Sequence, residues 1–172
     1  LLAPAAAVLA WCIGEVITKG KASMLGAASG LVAGLVGITP ACGSVGPMGA
    51  IMIGLIAGFA CLWGVGSLKK MMGADDSLDV FGIHGIGGIV GALLVGVFAA
   101  PSLGGTGGDD FSIVGQLLIH AYALLTPMVA PAVVAFICYM IVTLATDPLS
   151  ASLVAPEGVT PTSHAKHAAR PL

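Results

Sequence analysis

Charged positions are absent over long stretches of this chain, and that pattern sets its elements. Residues 22–68 carry no charged side chain, residues 80–108 carry His84 as their one ionisable group, and residues 111–146 contain His120 but no Asp, Glu, Lys or Arg. Each stretch holds one or two runs near the roughly 20 apolar residues needed to cross a bilayer. An open sheet leaves backbone N–H and C=O groups unsatisfied in hydrocarbon, so the runs predict helices. The spans fall at residues 1–18, 23–42, 49–68, 79–100 and 111–145. The predicted fold class is all-α, a polytopic transmembrane helix bundle of five spans over residues 1–145, followed by a flexible tail over 146–172.

The polar residues that remain predict the topology. The six basic residues are Lys19 and Lys21, Lys69 and Lys70, and Lys166 and Arg170. They occupy alternate connections, whereas residues 43–48 and 101–110 have none and the latter carries Asp109 and Asp110. By the positive-inside rule the Lys-bearing segments and the C-terminus are cytoplasmic. Composition agrees: 58% of residues are hydrophobic and 8% charged, against roughly 25% charged in soluble domains, and the mean hydropathy is +1.07. The expected setting is an integral membrane protein of the cell (inner) membrane. No basic patch favours nucleic acid. Leu1 opens directly inside an apolar run with no initiator Met or signal peptide, and the expectation is a fragment of a longer chain.

Cys12, Cys42, Cys61 and Cys138 stand singly in apolar sequence. They form no metal-binding pattern, so no metal or cofactor is expected, and each reads as a small buried hydrophobe. Gly26, Gly30 and Gly34 recur every four residues, as do Gly54 with Gly58 and Gly87 with Gly91. In lipid, such small-xxx-small faces let helices approach closely. Glu15 lies one helical turn from Lys19 and predicts an i,i+4 ion pair.

Candidate chemistry concentrates in residues 75–91, DDSLDVFGIHGIGGIVG. Asp79 is suited to cap a helix N-terminus, with Asp75 and Asp76 in a solvated turn. His84 is different, because an ionisable side chain within a span is costly and marks a cavity or a buried partner. The reading as a satisfied structural histidine stands beside it. Gly82, Gly85, Gly87 and Gly88 tilt the balance towards a site by stripping bulk from around the imidazole. His120 reads as a packed or interface histidine, and Tyr122 as a packing residue.

The segment DVFGIHGIGGIVG at 79–91 resembles the signature around the second pore histidine of the ammonium transporter (Amt/Rh) family. GLVAGLVGITPACGSVG at 30–46, WCIGEVITKGKASMLGAASG at 11–30 and FACLWGVGSLKK at 59–70 are similar to further family segments. The resemblance covers residues 1–145 and implies the last five of the family's eleven helices. It further implies a homotrimer with one narrow, mostly apolar pore per subunit, conducting ammonium or ammonia past two hydrogen-bonded histidines. His84 would be one of them. Its partner, the aromatic gate and the entrance cation site fall on helices upstream of Leu1. By the same resemblance Val80, Thr39 and Ser29 are pore-lining candidates. Glu157, Gly158, Ser163 and His164 faintly resemble a tail motif that meets neighbouring subunits and a PII-type regulatory protein. Ala165 and Lys166 depart from that motif.

The implied activity is transport rather than catalysis, since no nucleophile, base and orienting group converge. A bare ammonium ion in an apolar channel meets a desolvation cost of several kcal/mol or more. A neutral imidazole can accept or donate a hydrogen bond, or relay a proton, so that the nitrogen crosses as ammonia. The alternative is a non-conducting ammonium sensor or membrane scaffold of the same fold. One departure concerns the last span. At 1.5 Å per residue, residues 111–145 would extend about 52 Å, and Pro127 and Pro131 favour a kink where the family has a smoother helix.

Overall fold

The computed structural model describes residues 1–73, 79–108 and 110–154. The acidic turn at Asp75 and Asp76, residue Asp109, and the tail residues Glu157, Gly158, Ser163, His164, Ala165, Lys166 and Arg170 lie outside the described residues. Among the described residues every regular element is helical. The chain divides into two compact units, Leu1–Thr126 and Pro127–Leu172, each described by itself.

The first unit opens with α1 (Leu2–Lys19), which stops at Gly20 in the left-handed conformation (φ 79°), whose N–H returns to the carbonyl of Val16. Glycine takes that conformation without a Cβ penalty. α2 (Met24–Ile38) starts at Ser23, whose Oγ accepts the N–H of Gly26, and tightens into a 3-10 turn, Thr39–Ala41. α3 (Pro47–Trp63) begins on a proline that needs no hydrogen-bond partner in a first turn. It continues through a π-turn, Gly64–Leu68, into the short α4 (Lys69–Met72). A second π-turn, Phe81–Gly85, leads into α5 (Ile86–Phe98). After a 3-10 turn at Pro101–Leu103, α6 runs Ile113–Val154.

Five of these helical segments are long and apolar enough to span a bilayer: Leu2–Lys19, Met24–Ala41, Pro47–Leu68, Phe81–Phe98 and Ile113–Leu144. They match the spans read from the charge-free stretches to within two residues at nearly every boundary. The structure differs past residue 145, where a tail was expected, because α6 continues to Val154 and includes Pro148. A single proline removes one donor, and helical residues on either side can carry the ladder past it.

Glycine explains how the helices of the first unit come together. A Cβ on Gly34 would fall 2.6 Å from Pro4 Cα, and one on Gly30 2.8 Å from Trp11 Cβ, so the α2 stripe meets α1 backbone to backbone. From α3, Gly54 abuts the same Ala3 carbonyl that Gly34 approaches, and a Cβ on Gly58 would lie 2.7 Å from the carbonyl oxygen of Ala7, which Gly30 also faces. Gly91 of α5 sits in the same way against the carbonyl of Gly37. The stripes read as small-xxx-small faces are therefore contact seams, with α1 held between two of them. Between the seams the buried residues gather in two clusters, Trp11, Ala33, Cys61 and Ile83 in one and Ala41, Ile53, Val95 and Ala99 in the other.

The two ends of this unit are distinct. Lys19 and Lys70 line one groove together with Thr18 and Ser67. At the far end of α2, the connections without basic residues meet through the N–H of Thr106 and the carbonyl of Ser44 (3.1 Å). Lys19 and Lys70, from two alternate connections of the sequence, thus come to one end.

Within the second unit nearly all the described side chains, among them Met128, Val133, Phe136, Ile137, Tyr139 and Leu144, are exposed. Exposed apolar side chains on a helix suit lipid or another apolar surface.

Candidate functional site

His84 occupies the π-turn Phe81–Gly85 at the start of the α5 span. π-turns are rare and recur at functional sites because the extra residue redirects the side chains around it. Here the turn separates neighbours: Ile83 is buried in the cluster with Trp11 and Cys61, whereas His84 opens onto a cavity of about 470 Å³. The cavity wall is Val36, Thr39, Pro40, His84, Gly88 and Leu124. Apart from the imidazole, the one side-chain polar atom in that wall is the Thr39 hydroxyl, which donates to the carbonyl of Leu35 at 2.7 Å. The imidazole therefore stands as the one side chain in that wall able both to donate and to accept a hydrogen bond to a passing molecule.

Of the residues singled out from sequence, the structure brings His84 and Thr39 to one cavity. Val80 and Ser29 are not among its lining residues; Val80 is 53% exposed and Ser29 half-buried on α2. Among the four glycines expected to clear space around the imidazole, Gly88 alone lines the cavity, and no atom stands within 4 Å of a Cβ placed there. The others are occupied with packing, Gly82 against Val65, Gly85 against the Phe81 ring and Gly87 against Cys61 and Val36. Sequence reasoning missed Val36 and Pro40, although Val36 lies one helical turn before Thr39 and Pro40 directly after it, which was a usable signal. Leu124 had none.

Asp79 sits where the α5 span begins, and its carbonyl accepts the N–H of Ile83 at 2.9 Å. Its φ of 56° is left-handed, not the extended backbone usual at an N-cap. Aspartate is one of the few residues that visit this region. His120 packs beside α5, its Cδ2 3.3 Å from where a Cβ on Gly96 would stand. Glu15 forms the expected ion pair with Lys19 (2.9 Å), but its second oxygen also accepts the backbone N–H of Ser23 at 2.8 Å. Cys61 is fully buried and donates its thiol to the carbonyl of Ile83 at 3.4 Å. Among the described residues, no three His, Cys, Asp or Glu side chains gather as a metal site would require.

Five apolar spans, glycine seams and a histidine within a span, facing an open cavity, define an integral membrane protein of the helical-bundle class. The model of the Ammonium Transporter Family matches residues 1–164, and the chain belongs to that family. It is 44% identical over 147 residues to an ammonium transporter of Bacillus subtilis (strain 168), covering 83% of this chain and 36% of that protein. With an ammonium transporter of Mycobacterium tuberculosis (strain ATCC 25618 / H37Rv) it shares 57% identity over 100 residues, 58% of this chain and 21% of the relative. Among solved structures it is similar to Saccharomyces cerevisiae Mep2, with a TM-score of 0.61 and 38% identity over 73% of this chain and 32% of that one. Candida albicans Mep2 gives a TM-score of 0.65 at 31% identity over 87% of this chain and 33% of its own. The chain thus spans about a third or less of the length of these relatives.

Proposed function

We propose that this chain serves ammonium or ammonia transport across a cell membrane, with His84 on the translocation path and Thr39 beside it. The observation that carries the reading is the shared cavity: a lone imidazole in a wall otherwise built from Thr39, whose hydroxyl is bonded to Leu35, and from Val36, Pro40, Gly88 and Leu124. A charged nitrogen entering such a space loses its hydration without gaining carboxylate or carbonyl ligands, a cost of several kcal/mol or more. Neutral ammonia loses far less, and the imidazole supplies a hydrogen bond at the point where water cannot. The proton is left behind or carried separately through the ring.

The remaining parts of the path belong to the last-five-of-eleven register that the resemblance implies, with Val80 and Ser29 bordering it and Asp79 capping the helix entry. Assembly as a homotrimer is supported by the apolar surface left open on α6. The lysines gathered at one end support a cytoplasmic placement of that end. A PII-type protein at the tail is the regulatory contact that the tail resemblance implies.

The test is methylammonium and ammonia uptake in proteoliposomes by the full-length protein, comparing wild type with His84→Ala and His84→Glu at matched reconstitution. A changed rate or ion selectivity is expected in both variants. Wild-type uptake equal to that of empty liposomes would sink the transport reading in favour of a sensor or scaffold. Active but unaltered variants would return His84 to packing.

A further inference from the structure

The two π-turns of the first unit lie directly against each other. A Cβ on Gly64 would stand 3.0 Å from the carbonyl oxygen of Gly82, and one on Gly82 would stand 3.0 Å from the backbone nitrogen of Val65. Glycine at both positions lets the backbones touch. A π-turn closes its hydrogen bond one residue later than an α-turn, so it holds an extra residue and rotates the helix on one side of it relative to the helix on the other. Whether His84 faces the cavity therefore depends on that extra residue staying in place. Such turns are less favourable than plain α-helix, and something outside the helix has to hold this one.

Cys61 is placed to do so. It sits in the last turn of α3 just before Gly64, is fully buried, and donates to the carbonyl of Ile83 at 3.4 Å. Ile83 precedes His84, so the bond fixes the peptide that joins the buried residue to the cavity residue. A Cβ on Gly87 would come within 3.1 Å of the same sulfur, which seats the thiol in a slot between the Ile83 carbonyl and the next turn of α5. The Ile83 carbonyl also meets the backbone N–H of Ile86, three residues on rather than four, and in an apolar interior its remaining lone pair gains from a further donor, including a weak one.

We propose that Cys61 is a positioning residue for His84: its thiol holds the Ile83 carbonyl and keeps the π-turn in the register that turns the imidazole into the cavity. The consequence for uptake rests on the transport role proposed for His84; the consequence for the imidazole's surroundings does not.

Two readouts on the full-length protein in lipid nanodiscs or proteoliposomes separate these. The first is the 15N resonances of the His84 imidazole, assigned by their loss in His84→Ala; the second is methylammonium uptake. Cys61→Ala is expected to shift the imidazole resonances and to slow uptake about threefold, the equivalent of a weak hydrogen bond. Cys61→Ser keeps a donor and is expected to return both readouts towards wild type. Gly87→Ala, which keeps the thiol but pushes it from its slot, is expected to shift the resonances as Cys61→Ala does. Unshifted resonances in both Cys61→Ala and Gly87→Ala, or a serine variant no nearer wild type than the alanine variant, would overturn the proposal. If wild type does not conduct but the resonances move as described, the positioning role stands and the transport reading falls.

Discussion

Glu15 on α1 accepts the backbone N–H of Ser23 at 2.8 Å, and Ser23 in turn accepts the N–H of Gly26 through its hydroxyl at 2.9 Å. The end of one span and the start of the next are thereby tied across a short connection. The carboxylate is only 3% exposed, and Gly26 lies where a Cβ would strike it. Lys19 covers one oxygen while the Ser23 hydroxyl lies 3.0 Å from the other. The lysine reaches the carboxylate with a side chain that is mostly in solvent, whereas the serine reaches it through the backbone itself.

That arrangement separates two substitutions. Glu15→Ala strands the Ser23 N–H and is expected to destabilise the bundle by about 1–3 kcal/mol. Lys19→Ala removes a side chain that is 62% exposed, and solvent screening holds its effect to about 1 kcal/mol or less. Thermal unfolding of the detergent-solubilised full-length protein checks both; equal shifts would mean that the ion pair, not the link to Ser23, is what matters.

Glycines at the seams and at the cavity are expected to part company. Gly54→Val drives a branched side chain into the Ala3 carbonyl and should cost about 1–3 kcal/mol or prevent folding. Gly88→Ala meets nothing within 4 Å, so the folded yield should stay near wild type while uptake falls, because the new methyl occupies the cavity. Yield by size-exclusion chromatography and uptake in proteoliposomes give the comparison. A poorly folding Gly88→Ala would contradict the assignment of that glycine to the cavity wall.

Thr39 allows a test of the cavity by filling it. Its hydroxyl bonds locally to the Leu35 carbonyl and the residue is exposed, so Thr39→Phe should fold with an unfolding midpoint close to wild type. An aromatic ring there takes up much of the space in front of His84, and uptake is expected to drop at least about tenfold, equivalent to roughly 1.4 kcal/mol of barrier. Wild-type uptake by a well-folded Thr39→Phe would move the path elsewhere.

At Asp79 the left-handed backbone, φ 56°, predicts an order among substitutions. Asn shares the ability of Asp to occupy this region, whereas a β-branched side chain does not. Asp79→Val is therefore expected to be less stable than Asp79→Asn by about 1–2 kcal/mol, read as the difference between their unfolding midpoints. Equal midpoints would mean that the backbone relaxes at this position.

The spans were legible in the sequence because lipid imposes a one-dimensional rule: charge-free stretches of the right length have few other uses, and Lys19, Lys21, Lys69 and Lys70 mark their ends. His84 was legible for the same reason, as an ionisable group where none is tolerated cheaply. The π-turns were not, because their extra residue leaves no compositional trace and arises from Gly64 and Gly82 meeting in space. Cys61 looked like any small hydrophobe, since its bond to Ile83 joins residues on different helices. Glu15 was half legible: Lys19 lies at helical spacing, but Ser23 becomes a partner only when the chain turns back at Gly20. The continuation of α6 through Pro148 to Val154 likewise has no mark in the local composition, which changes to Pro, Ser, Thr and Ala from Thr146 onward.

Bundles joined through side chains can slide, because rotamers rearrange as the surfaces shift. The seams of α1 with Gly34 and Gly54, and of α5 with Gly37, have almost no rotamers to rearrange: carbonyl meets α-carbon directly. Such a joint is keyed, and a helix could change register only by jumping the four-residue interval between one glycine and the next. Motion that opens and closes a route through this unit must then come from the side chains facing the cavity, or from the unit moving as one piece.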